Sequence, residues 1–218
     1  MGGTSTDVFA AAGDLAIRPA AEVAGQVVRA PALDLHTVAA GGGSRVYYDG
    51  ARLRVGPESA GADPGPACYG RGGPATVTDA NLLLGRLYPA GFAPVFGPGG
   101  DRPLDAGAAR AAFAALGDAG EDAVLELARG AVRIAIEHMA GAVRRISVAR
   151  GLDPRGHCLV AFGGAGPQHA CELAEALDMA QVLVPARASL LSAAGVGMAA
   201  VGIECQAPLV AALDECGL

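Results

Sequence analysis

The chain opens with MGGTSTD, residues 1–7, a run of glycine and hydroxyl residues that ends in an aspartate. Gly2 and Gly3 would let backbone amides approach a phosphate, since no Cβ stands in the way, and three hydroxyl residues follow as donors. Asp7 can orient a nucleophile or hold a water bound to Mg²⁺. Glycine, serine and threonine also cluster in ordinary turns, so this run alone is a weak signal. Such a loop normally follows a buried strand, so we expect the chain to be part of a larger nucleotide-using enzyme.

Composition narrows the class of protein. The 218 residues are 52% hydrophobic and 17% charged, with 33 Gly and 14 Pro, which indicates a globular protein with many tight loops. The net charge of −6 and the absence of Trp argue against nucleic acid as a partner. All 16 basic residues are Arg, so a P-loop lysine, a kinase β3 lysine and a Schiff-base lysine are excluded within this chain.

Cysteine usage and hydropathy bear on the compartment. The five cysteines form no CxxC pair, which favours free thiols over disulfides or a zinc site. The longest apolar stretch, residues 179–201, is interrupted by Pro185 and Arg187. We therefore expect a cytoplasmic protein with no membrane partner.

The first quarter of the chain is predicted to be β-hairpins. Alternating residues flank Gly13-Asp14, with strands at residues 7–12 and 15–18, and a further strand is expected over residues 26–38. Asp49-Gly50 between residues 45–48 and 52–55 is a strong hairpin signal. A long loop at residues 56–73 follows, either an ordered surface loop or a functional one.

Helices are predicted in the middle of the chain. Residues 77–87 form a short helix with Thr78 or Asp79 as its cap, and Asp105 caps a second helix that ends near residue 116. In a long helix over residues 121–150, apolar side chains recur at spacings of four and three and should face the core. These side chains are Val132, Ile136, Met139, Val143 and Ile146. His138 beside them is expected to be a packed or capping residue.

The last third changes to a strand, loop and helix pattern. Residues 157–162 form an apolar strand, residues 163–166 (GGAG) a turn, and residues 167–179 a helix, with another strand at residues 181–184 and a helix over 189–200. A strand that meets a helix through glycines suits the phosphates or ribose of a nucleotide, although a plain tight connection is the alternative. We expect His169 and Cys171 to be packing or capping residues.

Asp34 and His36 form a third candidate site. They are two residues apart on a predicted strand and should share one face. A carboxylate beside an imidazole suits metal binding or acid-base catalysis, and a structural Asp–His hydrogen bond is the alternative. Two ligands do not define a metal site.

Five blocks in this order and spacing closely resemble the hydantoinase A/5-oxoprolinase family, which includes acetone carboxylase subunits. The blocks are MGGTSTDV, DLHTVAAGGGSRV, VGPESAGADPGPACYGRGGPATVTDANLLLGRL, AFGGAGPQHAC and LLSAAGVGMA. The resemblance covers nearly the whole chain. It implies an α/β fold, the second lobe of an actin-like (ribonuclease H-like) ATPase, present here as a single partial domain over residues 1–218.

The resemblance also implies a function and a site. ATP and Mg²⁺ or another divalent metal would bind in the cleft, and the enzyme would activate a cyclic amide by phosphorylating its carbonyl oxygen before ring opening. Partners would be the first lobe and a hydantoinase B-type subunit or domain. The catalytic candidates are Thr4, Asp7, Asp34 and His36, and the metal candidates are Asp7, Asp34 and His36. The nucleotide candidates are Gly2, Gly3, Thr4, Ser5, Thr6, Gly163, Gly164 and Gly166.

Two alternatives remain open at this point. A carboxylase subunit that phosphorylates a ketone or bicarbonate would share the same motifs. A non-catalytic assembly module that docks to a partner carrying the first lobe would share them too.

Overall fold

A computed structural model of the chain describes residues 1–23, 25–117 and 120–202. Within those ranges lie twelve strands and five α-helices. The strands are β1 Thr6–Val8, β2 Ala11–Ala12, β3 Asp14–Leu15, β4 Ile17–Arg18, β5 Ala21–Val23, β6 Gln26–Val28, β7 Ala32–Leu33, β8 His36–Val38, β9 Ser44–Tyr48, β10 Leu53–Ser59, β11 Cys158–Val160 and β12 Gln181–Leu183. The helices are α1 Val77–Leu83, α2 Ala106–Ala114, α3 Glu121–Ile146, α4 Ala170–Ala176 and α5 Leu191–Met198. The fold is α/β, as expected.

The N-terminal strands pair as one long, nested hairpin. β5 pairs with β6 at the tip, β4 with β7 further along, and β1 with β8 at the base, all antiparallel. A further small hairpin, formed by β2 and β3 around Gly13, branches from it. The single strand expected over residues 26–38 is wrong, because the chain is broken into three short strands that follow this nested pairing.

The second hairpin has the predicted form. β9 and β10 pair antiparallel across Asp49-Gly50, with Tyr48 opposite Leu53. Asp49 accepts hydrogen bonds from the amides of Ala51 and Arg52, which closes the turn. Val46 and Val55 point into the core, and Gly130 of α3 lies against the side chain of Leu53.

The start of α1 differs from the expectation. Thr76 is the N-cap, not Thr78 or Asp79, and Asp79 completes a capping box with it. The Asp79 carboxylate is fully buried and also accepts hydrogen bonds from the amides of Ala67 and Cys68. The end of the long loop at residues 56–73 is therefore tied to the interior by Asp79, and is not a plain surface loop. Asp105 caps α2 as predicted, accepting from the Ala108 amide at 2.8 Å.

Helix α3 is the centre of the core. Its stripe of five apolar side chains is buried as predicted, and it packs with α1, α2, α4 and strands of both hairpins. His138 is exposed, so its predicted packing or capping role is wrong. It lines a groove that His36 and Arg145 also line.

The C-terminal third has the predicted strand, turn and helix. β11 and β12 run parallel, with Leu159 opposite Val182. A 3-10 helix, Gly166–His169, leads from the glycine turn into α4, so only residues 170–176 of the predicted helix are α-helical. His169 is buried as expected, whereas Cys171 is exposed and does not pack. Cys68, Cys158 and Cys171 are free thiols, and Cys205 and Cys216 lie outside the described residues.

No helix in the described ranges is long and apolar enough to cross a membrane.

Candidate functional site

The opening loop (residues 2–4) lies beside the 163–166 turn. The Met1 nitrogen donates to the Phe162 carbonyl at 2.9 Å, and the Ala165 amide donates to the Met1 carbonyl at 3.2 Å. Gly163 has a φ of +85°, and a Cβ there would stand 2.1 Å from the Met1 carbonyl oxygen. Glycine is therefore required at this contact for both conformation and space. The two glycine segments that the sequence predicted to share a ligand are adjacent.

A third glycine segment, the triple-glycine loop (residues 41–43), supports the opening loop from the other side. The Gly42 amide donates to the Gly2 carbonyl at 3.0 Å, and the Gly43 amide to the Gly3 carbonyl at 2.6 Å. A Cβ on Gly41 would stand 2.5 Å from the carbonyl carbon of Thr4. The triple-glycine loop thus allows two backbones to approach within hydrogen-bond distance of one another.

The three segments meet at Gly42. The position that a Gly42 Cβ would occupy is 2.7 Å from Thr78 Oγ1, 3.8 Å from the Ala165 Cβ and 4.0 Å from the Gly2 carbonyl oxygen. Thr78 belongs to the first turn of α1, and its backbone amide donates to the Gly42 carbonyl at 2.7 Å. We name the opening loop, the triple-glycine loop, the 163–166 turn and Thr78 together the loop cluster.

The loop cluster presents unpaired amides to open space. Among the described residues, the amides of Gly3, Thr4 and Gly164 donate to no protein acceptor, and all three residues are exposed. A Cβ added to Gly3 or Gly164 would meet nothing within 4 Å. Exposed amides without a protein acceptor can donate to anionic oxygens, which is the property that a phosphate site requires.

Three of the predicted nucleotide residues support the cluster instead of presenting donors. The Gly2 amide donates to the Ser5 carbonyl at 3.0 Å, closing the opening loop on itself. The Thr6 side chain is buried, and its hydroxyl donates to the Ala40 carbonyl at 2.5 Å. This hydrogen bond therefore links β1 to the residues just after β8, and the buried Thr6 hydroxyl is not accessible to a ligand.

Asp7 is exposed at the edge of the loop cluster. It lies opposite Thr37 in the ladder of β1 and β8, and the Thr37 hydroxyl donates to its Oδ1 at 2.6 Å. This contact orients the carboxylate, and Oδ2 accepts no hydrogen bond from any residue that the structure describes. A cavity of about 420 Å³ lies beside Asp7, with Val8, Ile146 and Leu159 among its mostly apolar lining. This volume is within the range of small-molecule sites.

The structure does not bring Asp7 and His36 to the same side. His36 lies opposite Val8, one position along from Asp7, and neighbouring residues of a strand point to opposite faces. Val8 packs on the core below the sheet, whereas Asp7 and Thr37 share the other face. His36 accordingly lines the groove against α3.

The Asp34 carboxylate is ion-paired with two arginines. Arg18 and Arg150 both form ion pairs with its carboxylate, which is largely buried. The hydrogen bond from Arg150, with a further one from Arg18, lowers the pKa of Asp34 below its usual value. The described structure contains no hydrogen bond between Asp34 and His36, so the alternative of a structural Asp–His pair is wrong. In the described ranges no three His, Cys, Asp or Glu side chains are grouped as metal ligands would be.

Sequence reasoning missed the triple-glycine loop and Thr78 as parts of the site. The sequence pattern marked residues 41–43 only as part of the DLHTVAAGGGSRV block, and Thr78 only as a candidate helix cap. Three consecutive glycines after a strand were the available signal, because such a run is needed where backbones approach closely.

The α/β fold is of the type found in ATP-dependent enzymes, and two solved structures share it. The ATP-dependent caprolactamase of Pseudomonas jessenii superposes with a TM-score of 0.75 at 37% identity, over 89% of this chain and 28% of that one. An acetone carboxylase in its nucleotide-free form gives a TM-score of 0.74 at 29% identity over the same shares.

Sequence comparison gives the family. The hydantoinase/oxoprolinase family profile matches residues 1–204. The 5-oxoprolinase 1 of Arabidopsis thaliana is 44% identical over 95% of this chain, which corresponds to 17% of that protein. This chain belongs to the hydantoinase/oxoprolinase family, and it spans about a sixth of the length of the curated 5-oxoprolinase it matches.

Proposed function

We propose that this chain forms one lobe of an ATP-dependent enzyme that opens cyclic amides. The observation that carries the proposal is the group of exposed, unpaired amides of Gly3, Thr4 and Gly164, contributed by two segments far apart in sequence. Backbone amides of this kind can bind phosphate oxygens without help from a lysine side chain. This matters here because the chain contains no lysine. Gly2, Ser5, Thr6, Gly163 and Gly166 hold these donors in place.

Bound ATP would supply the phosphoryl group that activates the amide carbonyl. Asp7 is the residue that we assign to Mg²⁺, through its open Oδ2 and a bound water. One carboxylate is sufficient, because Mg²⁺ at nucleotide sites keeps several waters and takes its other ligands from the phosphates. Asp34 and His36 do not join it in this assignment, since the first is paired with arginines and the second faces α3.

The apolar cavity beside Asp7 offers a place for the ring of a small cyclic amide. We propose that the first ATPase lobe and a hydantoinase B-type subunit or domain complete the site. Ring opening is favoured over ketone carboxylation because 5-oxoprolinase 1 is 44% identical to this chain and the acetone carboxylase 29%. ATP turnover measured with 5-oxoproline, caprolactam and hydantoin against acetone with bicarbonate separates the two reactions.

Valine substitution tests the nucleotide site without disturbing the fold. Gly164→Val adds a branched side chain at one of the three unpaired amides, and the open space around Gly164 means that the protein should accommodate it. Gly156→Val is the matched control, because a Cβ on Gly156 also meets nothing and the residue lies outside the loop cluster. We expect both variants to keep the wild-type Tm, and Gly164→Val alone to lose ATP binding.

Binding is measured by calorimetric titration of ATP with Mg²⁺ into the full chain, alone and together with a polypeptide that carries the first lobe. Asp7→Ala should weaken binding with Mg²⁺ present and leave binding in chelator unchanged. If the wild-type chain binds no ATP in either state, the chain is a non-catalytic module. If Gly164→Val binds as well as wild type, the loop cluster is not the phosphate site.

A further inference from the structure

Asn81 and His169 form a buried polar pair next to the loop cluster. Asn81 Nδ2 and His169 Nε2 are 3.2 Å apart, and both side chains are about 1% exposed. Asn81 lies on α1, one helical turn after Thr78. His169 ends the 3-10 helix that begins at Gly166. The pair therefore joins the helix under the triple-glycine loop to the segment that continues the 163–166 turn.

The contact is one of three places where residues 78–86 approach residues 165–172. Thr78 and Ala165 flank the same point at Gly42, and further on Arg86 forms an ion pair with Glu172 of α4. Arg86 and Glu172 are partly exposed, so water competes for that ion pair. The Asn81–His169 contact is the fully buried one of the three.

The chemistry of the pair fixes one form of the imidazole. The Asn81 atom that faces the ring is Nδ2, which can only donate. His169 Nε2 is therefore the acceptor, and the proton of the neutral ring is on Nδ1. Burial, with the positive charge of Arg86 adding to it against the opposing effect of Glu172, lowers the pKa of His169 to about 4. The ring is accordingly neutral at pH 7.

The pair retains polar atoms that packing alone would not require. Among the described residues, His169 Nδ1 and Asn81 Oδ1 have no hydrogen-bond partner, although both are buried. Two apolar side chains of the same shape would fill this space without leaving such groups unpaired. A directional contact, in contrast, holds two backbones in a single relative orientation.

We infer that Asn81 and His169 are positioning residues, which hold the 163–166 turn in the orientation that presents the Gly164 amide to the nucleotide. The turn itself supports this role, because Gln168 Nε2 donates back to the Gly164 carbonyl at 3.2 Å and the Gln168 amide to the Ala165 carbonyl at 3.3 Å. Any tilt of the segment between Gly166 and His169 is thereby transmitted to Gly164. The inference rests on the proposed function in one respect only, which is that the turn binds a nucleotide.

The test replaces the pair by an apolar one. The double variant Asn81→Leu/His169→Phe removes both polar partners together, so it should unfold no more easily than either single variant. We expect its Tm to approach that of wild type while the amides of Gly163 and Ala165 exchange hydrogen about tenfold faster or more. Wild-type exchange at these two amides in the double variant would overturn the inference.

A conservative variant keeps the test decisive if the double variant does not fold. His169→Gln supplies an oxygen acceptor for Asn81 Nδ2 in a neutral side chain, so the turn should keep its slow exchange, whereas His169→Phe should lose it. Equal exchange rates in these two variants would also overturn the inference. ¹⁵N shifts of the wild-type imidazole should show the neutral ring with its proton on Nδ1, and a proton on Nε2 would contradict the assigned contact.

Nucleotide affinity is a separate measurement. Hydrogen exchange is followed without nucleotide, so it tests the positioning of the turn alone. ATP titration of the same variants then tests what the turn binds. Faster exchange with an unchanged ATP affinity would support the positioning role and count against the proposed nucleotide site.

Discussion

Replacement of Asp79 by alanine should destabilise the fold far more than removal of an ordinary helix cap. The buried carboxylate accepts hydrogen bonds from the amides of Ala67 (3.1 Å), Cys68 (2.7 Å) and Thr76 (2.9 Å), and from the Thr76 hydroxyl (2.7 Å). The Ala67 amide keeps a second acceptor, the Pro74 carbonyl, at 3.0 Å. The amides of Cys68 and Thr76 would be left buried without one.

Each buried amide without a partner costs about 1–3 kcal/mol, so Asp79→Ala should lower the free energy of unfolding by about 4 kcal/mol. For a chain of this length that corresponds to a fall in Tm of roughly 12 °C. Asp105→Ala is the matched control, because it removes one exposed cap contact and should cost about 1 kcal/mol. Urea unfolding followed by far-ultraviolet circular dichroism measures both. Equal losses in the two variants would refute the account of Asp79 as the anchor of the loop.

Three further predictions concern the glycine turn, the buried histidine and the thiols. Gly163→Ala should destabilise by about 3 kcal/mol, through its positive φ and the collision with the opening residue, whereas Gly164→Ala should change urea stability little. His169 has a pKa of about 4 folded and 6.5 unfolded, so the unfolded chain takes up its proton first. As pH falls from 6.5 to 4, about 3 kcal/mol of stability should be lost, and less in His169→Gln; equal loss in both would exclude His169 as the cause. Burial raises the pKa of the Cys68 thiol, so mass spectrometry should find iodoacetamide on exposed Cys158 in the native protein, and on Cys68 only after denaturation.

Local patterns predicted the elements that local interactions determine. The hairpin across Asp49-Gly50 and the buried stripe of α3 were both predictable, because turn geometry and helical periodicity are properties of neighbouring residues. The nested pairing of β1 with β8 and of β4 with β7 was not, since it depends on strands distant in sequence. Short strands of two or three residues carry too few side chains to show an alternating pattern.

The site was predictable in part for the same reason. The adjacency of the opening loop and the 163–166 turn was expected from the family resemblance, and the structure has it. The partners of Asp34 could not be predicted, because Arg18 and Arg150 are brought to it only by the tertiary fold. The buried hydroxyl of Thr6 was missed because a strand begins at that residue and turns its side chain inward.

The contact between Met1 and Phe162 joins residues that are 161 positions apart. Closing so large a loop has an entropic cost that must be met before the contact forms, so this part of the molecule should acquire its native shape late. During synthesis, residue 1 cannot dock until residue 162 has been made, because the carbonyl that it contacts belongs to that residue. The ability to hold a ligand between these segments should therefore arise only after the 163–166 turn has been synthesised.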